Sequence, residues 1–90
     1  MDINDLRVQI DEIDDSITRL FCERMRVSAD IARYKKENDL PVLDKDRERQ
    51  KLAAVLSKTE PEMRGYMSKL YMLLFELSRA YQDEINSIYG

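Results

Sequence analysis

The chain has 90 residues, enough for one domain at most, and its 15 basic and 18 acidic side chains leave a net charge of −3, which argues against nucleic acid as the main partner. Histidine is absent and Cys22 is the lone cysteine, which excludes a disulfide framework, a cysteine metal cluster and every histidine-dependent nucleophile. No apolar run is long enough to span a membrane and no signal peptide is present, so we expect residues 1–90 to form one domain in a reducing cytoplasm.

The first predicted element is a long helix from Ile3 to about Asn38. Only two glycines and two prolines occur in the chain, and none precedes Pro41, which is typical of an all-helical protein. Asp2 or Asn4 can cap the helix. Alternating steps of three and four residues define a stripe along it, which we call the seam. The seam consists of Ile3, Leu6, Ile10, Ile13, Ile17, Leu20, Arg24, Val27, Ile31 and Tyr34.

Arg24 is the one charged member of the seam. A guanidinium does not lose its proton in proteins, so a buried one requires an anionic partner. Two explanations are open at this point. Arg24 either forms a structural salt bridge with an acid such as Asp14 or Glu48, or it binds an anionic ligand.

The length of the first helix poses a packing problem. At 1.5 Å per residue it is roughly 54 Å long, and the two helices that follow could barely line it. A kink would fold the helix back on itself, but no proline or glycine is available to make one. We therefore expect an obligate homodimer, in which the long helices of two chains pack against each other.

Two further helices are predicted after a loop at residues 39–43. The second starts after Asp44, a good N-cap, and ends near Ser57. Thr59, followed three residues later by Glu62, predicts a capping box for a third helix that continues to about Ile88. The apolar stripe of this helix is Met63, Met67, Leu70, Leu74, Leu77 and Tyr81. Its second stripe is Tyr71, Phe75, Ser78, Gln82 and Ile85.

Four further polar residues are candidates for a binding site. Ser78 and Gln82 are one turn apart among apolar neighbours, an arrangement typical of hydrogen-bonding groups aimed into a dry space. Lys35 follows Arg24 on the same face, roughly 16 Å away, whereas Arg7 precedes Arg24 by roughly 25 Å. One small molecule reaches both arginines only if they come from two antiparallel chains. Each candidate also suits a solvated or edge position. Taken by itself, Arg7 is better explained as an ordinary surface residue, and Lys35 would normally lie at a solvated helix end.

An ordered set of polar and loop residues spans nearly the whole chain, and it consists of Leu6-Arg7, Glu23-Arg24, Lys35, Pro41-Val42-Leu43-Asp44, Asp46-Arg47-Glu48-Arg49, Ser78 and Gln82. In order and spacing, this set resembles the all-helical chorismate mutases. The resemblance implies an intertwined homodimer of three-helix chains that rearranges chorismate to prephenate, on the route to phenylalanine and tyrosine. This isomerase reaction has one substrate and needs no nucleophile, metal or cofactor, which suits a chain without histidine.

The resemblance also implies catalytic and substrate-binding roles. Arg24 and the partner's Arg7 would hold the two substrate carboxylates, and Ser78 would contact a carboxylate. Lys35 and Gln82 would face the ether oxygen. A preorganised ammonium and an amide N–H can stabilise the negative charge that develops there.

The remaining three residues would bind the other end of the substrate. Asp44, through its backbone, and Glu48 would hold the region of the ring hydroxyl. Arg47 would support the carboxylate and the geometry of Glu48.

Two other functions remain open on the sequence alone. The seam by itself would suit a non-enzymatic helical dimerisation module. A lyase on the same scaffold, cleaving pyruvate from isochorismate, would share the cationic pocket and use Lys35. Glu48 favours the mutase weakly, because an acid suits a contact with a hydroxyl group.

Overall fold

The computed structural model describes residues 2–89. Across these residues the chain forms α1 (Ile3–Glu37), α2 (Lys45–Ser57), a short 3-10 helix (Pro61–Met63) and α3 (Arg64–Tyr89), with no strand. The predicted all-helical class, with three helices and a very long first one, is confirmed. Within the described part of the chain, no helix combines the length and the apolar character needed to cross a membrane.

Local hydrogen bonds explain where α1 begins and ends. Asp2 caps it as predicted, because its Oδ1 accepts a hydrogen bond of 3.0 Å from the backbone N–H of Asp5. At the other end, the backbone N–H of Leu40 donates to the carbonyl of Lys35 at 2.7 Å, and Asp39 adopts a left-handed φ of 53°. This is a Schellman-type turn, and aspartate tolerates its left-handed position better than a branched residue does.

The junction between α2 and α3 differs from the prediction. Asp44 caps α2 as expected, since its Oδ1 accepts from the backbone N–H of Arg47 at 3.0 Å. Thr59, however, donates its hydroxyl to the carbonyl of Val55 at 2.7 Å and so completes the end of α2. The predicted capping box is therefore wrong. The chain enters α3 through the 3-10 helix, where Glu60 precedes Pro61–Met63 and makes no side-chain capping bond.

Small side chains join α1 to α3. Ala29 and Ala32 are 5% and 0% exposed and form a cluster with Ile85, and Tyr81 packs against this cluster. Alanines bring the two helix backbones close together, because the distance between packed helices depends on the side chains at the contact. α3 also packs against α2, which contributes no buried residue of its own. α3 is therefore the element that connects the other two helices.

The burial of the two stripes of α3 is the reverse of what their composition suggests. The stripe with Ser78 and Gln82 is the buried one, and these two side chains are 8% and 7% exposed. Members of the predicted apolar stripe that remain exposed are Met63, Leu70 and Leu77. Ser78 and Gln82 are therefore interior residues, and the explanation of them as surface positions is wrong.

Apart from Arg24, the seam of α1 lies outside this packing. Its nine apolar members are 43% to 61% exposed, and residues 2–20 are exposed without exception. The molecule measures 54 × 27 × 14 Å with a radius of gyration of 16.3 Å, whereas a compact domain of this length has about 12 Å. A single chain thus leaves the seam uncovered, as the length of the first helix predicts.

Candidate active site

A cleft of about 390 Å³ lies between α1, the loop that follows it, α2 and α3. Its volume is within the range of small-molecule binding sites. Seven of the eight predicted site residues line it. These residues are Arg24, Lys35, Asp44, Arg47, Glu48, Ser78 and Gln82. The tertiary structure therefore brings together residues that are up to 58 positions apart in the chain.

Cationic side chains outnumber carboxylates in this cleft. Among the described residues, its charged lining consists of Arg24, Lys35, Arg47, Lys51 and Arg79 against Asp44 and Glu48. The protein as a whole carries a net charge of −3, so positive charge is concentrated at the cleft. Such a site suits a small molecule with more than one negative charge.

Arg24 is held by α3 rather than by an acid. Its Nη1 donates to Ser78 Oγ at 2.6 Å, and its guanidinium carbon lies 5.9 Å from the centre of the Tyr71 ring. None of the ion pairs found within residues 2–89 includes Arg24, so the salt bridge with Asp14 or Glu48 is not formed. The remaining guanidinium donors are available to an anion in the cleft.

Ser78 connects Arg24 to a second serine. Its Oγ accepts from Arg24 and also from the hydroxyl of Ser28, which lies 3.3 Å away and is buried on α1. A hydroxyl oxygen has two acceptor lone pairs and one hydrogen. Because both lone pairs are occupied, the hydrogen of Ser78 is left to donate to a ligand.

Lys35 is fixed by the loop that follows α1. Its Nζ donates to the carbonyl of Val42 at 2.8 Å. The turn at Asp39 makes this bond possible, because it brings the chain back to the last turns of α1. An ammonium carries three hydrogens, so two more donors remain for an acceptor in the cleft.

Gln82 has unused hydrogen-bonding capacity in the interior. Its Oε1 is buried without a partner among the described residues. An unpaired buried acceptor costs about 1–3 kcal/mol, so such an atom is normally satisfied by a bound water or a ligand. Rotation of the amide by about 180° exchanges its oxygen and nitrogen, which lets either atom bond to a ligand in the cleft.

Glu48 has a partner that the sequence analysis did not predict. Its Oε2 accepts a hydrogen bond of 2.5 Å from Nη1 of Arg79, which reaches across from α3. Arg47, the residue expected to support Glu48, is exposed and belongs to none of the ion pairs found in residues 2–89. The carboxylate of Asp44 is used in capping α2, and its carbonyl accepts a hydrogen bond of 3.1 Å from the backbone N–H of Glu48. A backbone contact with a ligand would therefore use the second lone pair of this carbonyl or the N–H of Asp44.

Arg7 lies outside the cleft. It is exposed on the second turn of α1, and the helix separates it from Arg24 by about 25 Å. Arg7 can therefore approach such a cleft only from a second copy of the chain.

The family model described as chorismate mutase type II matches residues 6–83, which include all eight predicted site residues. The chain belongs to the chorismate mutase type II family. One relative, the chorismate mutase of Methanocaldococcus jannaschii, is 29% identical over 82 residues, which cover 89% of this chain and 83% of the relative. No solved structure matches the chain significantly.

Membership of the chorismate mutase family confirms the resemblance found in the sequence. It assigns the chain to the isomerases and supports chorismate mutase activity as its function. Neither comparison favours the lyase or the non-enzymatic dimerisation module.

Three polar residues of the cleft were missed by the sequence analysis: Ser28, Lys51 and Arg79. Helical spacing could have found the first two, because Ser28 is one turn beyond Arg24 and Lys51 is three residues beyond Glu48. Arg79 lies three residues before Gln82, but its pairing with Glu48 gives no comparable signal. Its ion pair spans 31 positions in the chain, and no local pattern predicts it.

Proposed function

We propose that this chain rearranges chorismate to prephenate in a homodimer whose two sites each use residues from both chains. The observation that carries the proposal is the convergence of seven predicted residues, with an excess of positive charge, on one cleft. Chorismate carries two carboxylates, and its rearrangement breaks a C–O bond while a C–C bond forms in the same molecule. The protein's task is therefore to hold a flexible dianion in its reactive compact shape.

Arginines bind the two carboxylates. Arg24 binds one of them with its free guanidinium donors, and Ser78 donates its remaining hydrogen to a carboxylate. The partner's Arg7 binds the other. Support comes from the Arg24–Ser78 bond of 2.6 Å, which fixes the guanidinium before substrate arrives.

Lys35 and Gln82 stabilise the charge that develops on the ether oxygen as the C–O bond breaks. The bond from Lys35 to the carbonyl of Val42 holds the ammonium in place. Gln82 is buried, and its Oε1 has no hydrogen-bond partner within residues 2–89. Donors that are already oriented in a site with little water require no reorganisation during the reaction.

Glu48 and the backbone of Asp44 bind the ring hydroxyl region, and Arg47 supports the carboxylate from the start of α2. The capping of α2 by the Asp44 side chain supports this arrangement. It fixes the first turn of the helix, and with it the positions of Arg47 and Glu48 relative to the cleft.

The homodimer rests on the exposed seam. Nine large apolar side chains in one line, each 43% to 61% exposed, form the kind of contiguous surface that marks a protein interface. Antiparallel packing of two α1 helices would cover this surface and bring the partner's Arg7 to the cleft that contains Arg24. We further propose that residues 1–90 act as one domain, in the cytoplasm, on the route to phenylalanine and tyrosine.

The proposal is tested by mixing purified protein with chorismate and following the loss of its ultraviolet absorbance, with prephenate identified as the product. We expect turnover by the wild type and by Arg33→Met, which removes an exposed ion pair with Asp30. No turnover by a well-folded wild type would refute the proposal. Release of pyruvate from isochorismate, without turnover of chorismate, would support the lyase instead.

A further inference from the structure

We propose that Arg79 is a positioning residue that sets the geometry and the charge balance of Glu48, an inference that rests on the proposed function. Arg79 belongs to α3, between Ser78 and Gln82, and it lines the cleft together with both of them. Glu48 belongs to the first turn of α2. The pair thus joins two walls of the same cleft.

The Arg79–Glu48 pair differs from the other ion pairs within residues 2–89. The other three join residues three or four positions apart on one helix, and their side chains are 52% to 80% exposed. The Arg79 and Glu48 side chains are only 33% and 26% exposed, and the pair connects two helices. Exposed pairs contribute little to stability, whereas a partly buried pair fixes the orientation of both groups more strongly.

The hydrogen bonds of Glu48 leave one carboxylate oxygen for a ligand. Oε2 accepts from Arg79, while Oε1 forms none of the hydrogen bonds found in the described part of the chain. An ionised carboxylate only accepts hydrogen bonds. With one oxygen tied to the guanidinium, the other is held ready to accept a hydrogen bond from the ring hydroxyl of the substrate.

Arg79 also balances a negative charge that would oppose binding. A carboxylate in a cleft that takes a dianion repels the substrate unless a cation stands beside it. Arg47 is adjacent to Glu48 in sequence but is exposed and forms no ion pair within residues 2–89. Arg79 is therefore the counterion of Glu48, and it frees the other cations of the cleft for the substrate.

A double-mutant cycle tests whether Arg79 acts through Glu48. We expect Arg79→Met to lower kcat/KM by about 10- to 100-fold, mainly through a higher KM, because the contact with the hydroxyl exists before the reaction as well as during it. In a Glu48→Gln background, the same substitution should change kcat/KM less than about threefold. Arg79→Lys, which keeps the charge but loses the planar fork, should recover part of the loss.

The cycle has clear opposing outcomes. Equal losses from Arg79→Met in both backgrounds would show that Arg79 acts independently of Glu48 and would overturn the inference. If Arg79→Met does not fold, Arg79→Gln replaces it in the cycle, with the same expected result. Arg33→Met, which breaks an exposed pair with Asp30, should keep wild-type kcat/KM within about twofold. A wild type without activity refutes the proposed function, whereas an active wild type with an additive cycle refutes only the role of Arg79.

Discussion

The two halves of α1 have opposite surroundings, although one apolar stripe runs through both. Residues 3–20 are exposed throughout. Residues 21–37 contain the buried contact with α3, made by Ser28, Ala29 and Ala32, and they supply Arg24 and Lys35 to the cleft. The first half therefore has an apolar stripe typical of a buried helix but no packing partner in its own chain. The second half packs against α3 of the same chain.

Different faces of α1 serve packing within the chain and the proposed packing between chains. The contact with α3 is made by small residues, which lie beside the seam rather than in it. The nine apolar members of the seam stay exposed along the full length of α1. In the proposed dimer, the second half of α1 forms one wall of a site, and the first half carries Arg7 to the site of the other chain.

The largest effect is expected at Arg24, in the second half. Arg24→Met should lower kcat/KM by about 10³-fold, because it removes the guanidinium that donates hydrogen bonds to a carboxylate of the substrate. The melting temperature should stay equal or rise, since Arg24 pairs with the neutral Ser78 and with no carboxylate among the described residues. Steady-state kinetics and thermal unfolding would be measured beside Arg26→Met, an exposed arginine of the same helix. A marked loss of stability in Arg24→Met alone would mean that Arg24 is structural.

The next largest effect concerns Gln82, which faces the second half of α1 across the cleft. Gln82→Glu should lower kcat/KM by about 100-fold at neutral pH, because an ionised carboxylate repels the charge that develops on the ether oxygen. As the pH falls, the introduced carboxyl becomes protonated and can donate a hydrogen bond, so activity should recover. The measurement is the ratio of variant to wild-type kcat/KM across pH. A ratio that does not change with pH would show that Gln82 does not contact the reacting oxygen.

A third experiment connects the two halves through a mixed dimer. Arg7→Ala and Arg24→Ala chains should each be nearly inactive alone. In a dimer of one chain of each kind, one site carries both defects and the other carries neither, so isolated mixed dimers should reach about half of wild-type activity. Verified exchange of subunits without recovery of activity would contradict a site shared between chains.

The smallest expected change is a factor of two in mass. Sedimentation at micromolar concentration should give twice the 10.7 kDa of one chain. Ile13→Lys, in the seam of the first half, should shift the protein toward monomer, because it places a charge in the apolar interface. Val8→Lys is the matched control, since Val8 is 55% exposed on the same helix but lies outside the seam. A wild type that is folded and monomeric would refute both the proposed dimer and the proposed shared site.

The helix ends show what the sequence can and cannot predict. Asp2 and Asp44 were predictable as N-caps because each bonds to a backbone N–H only three positions ahead. Thr59 was misassigned because it stands between the end of one helix and the start of another. A threonine at such a position can bond to backbone groups of either helix, and the hydroxyl of Thr59 donates to the carbonyl of Val55 at the end of α2.

In the cleft, the sequence predicts most of the residues that form the site but not which of them bond to each other. Spacing and resemblance singled out Arg24 and Glu48, but the partners of these two residues depend on how α3 packs. Ser78 proved to be the partner of Arg24, which decided against the salt bridge that the pattern had left open. Arg79 proved to be the partner of Glu48, and nothing within a helical turn of either residue indicates it.

The uncovered half of α1 connects the stability of the fold to the amount of protein present. Most of the stability of a helix in a protein comes from the packing of its apolar face, so residues 3–20 are stabilised by whatever covers them. In the proposed dimer, the partner chain provides this cover, and dilution favours dissociation by mass action. The free energy of association becomes less favourable by about 1.4 kcal/mol for each tenfold dilution at 25 °C. The melting temperature should therefore fall as the protein is diluted, and kinetic assays at nanomolar enzyme start from a less stable population than calorimetry at micromolar enzyme.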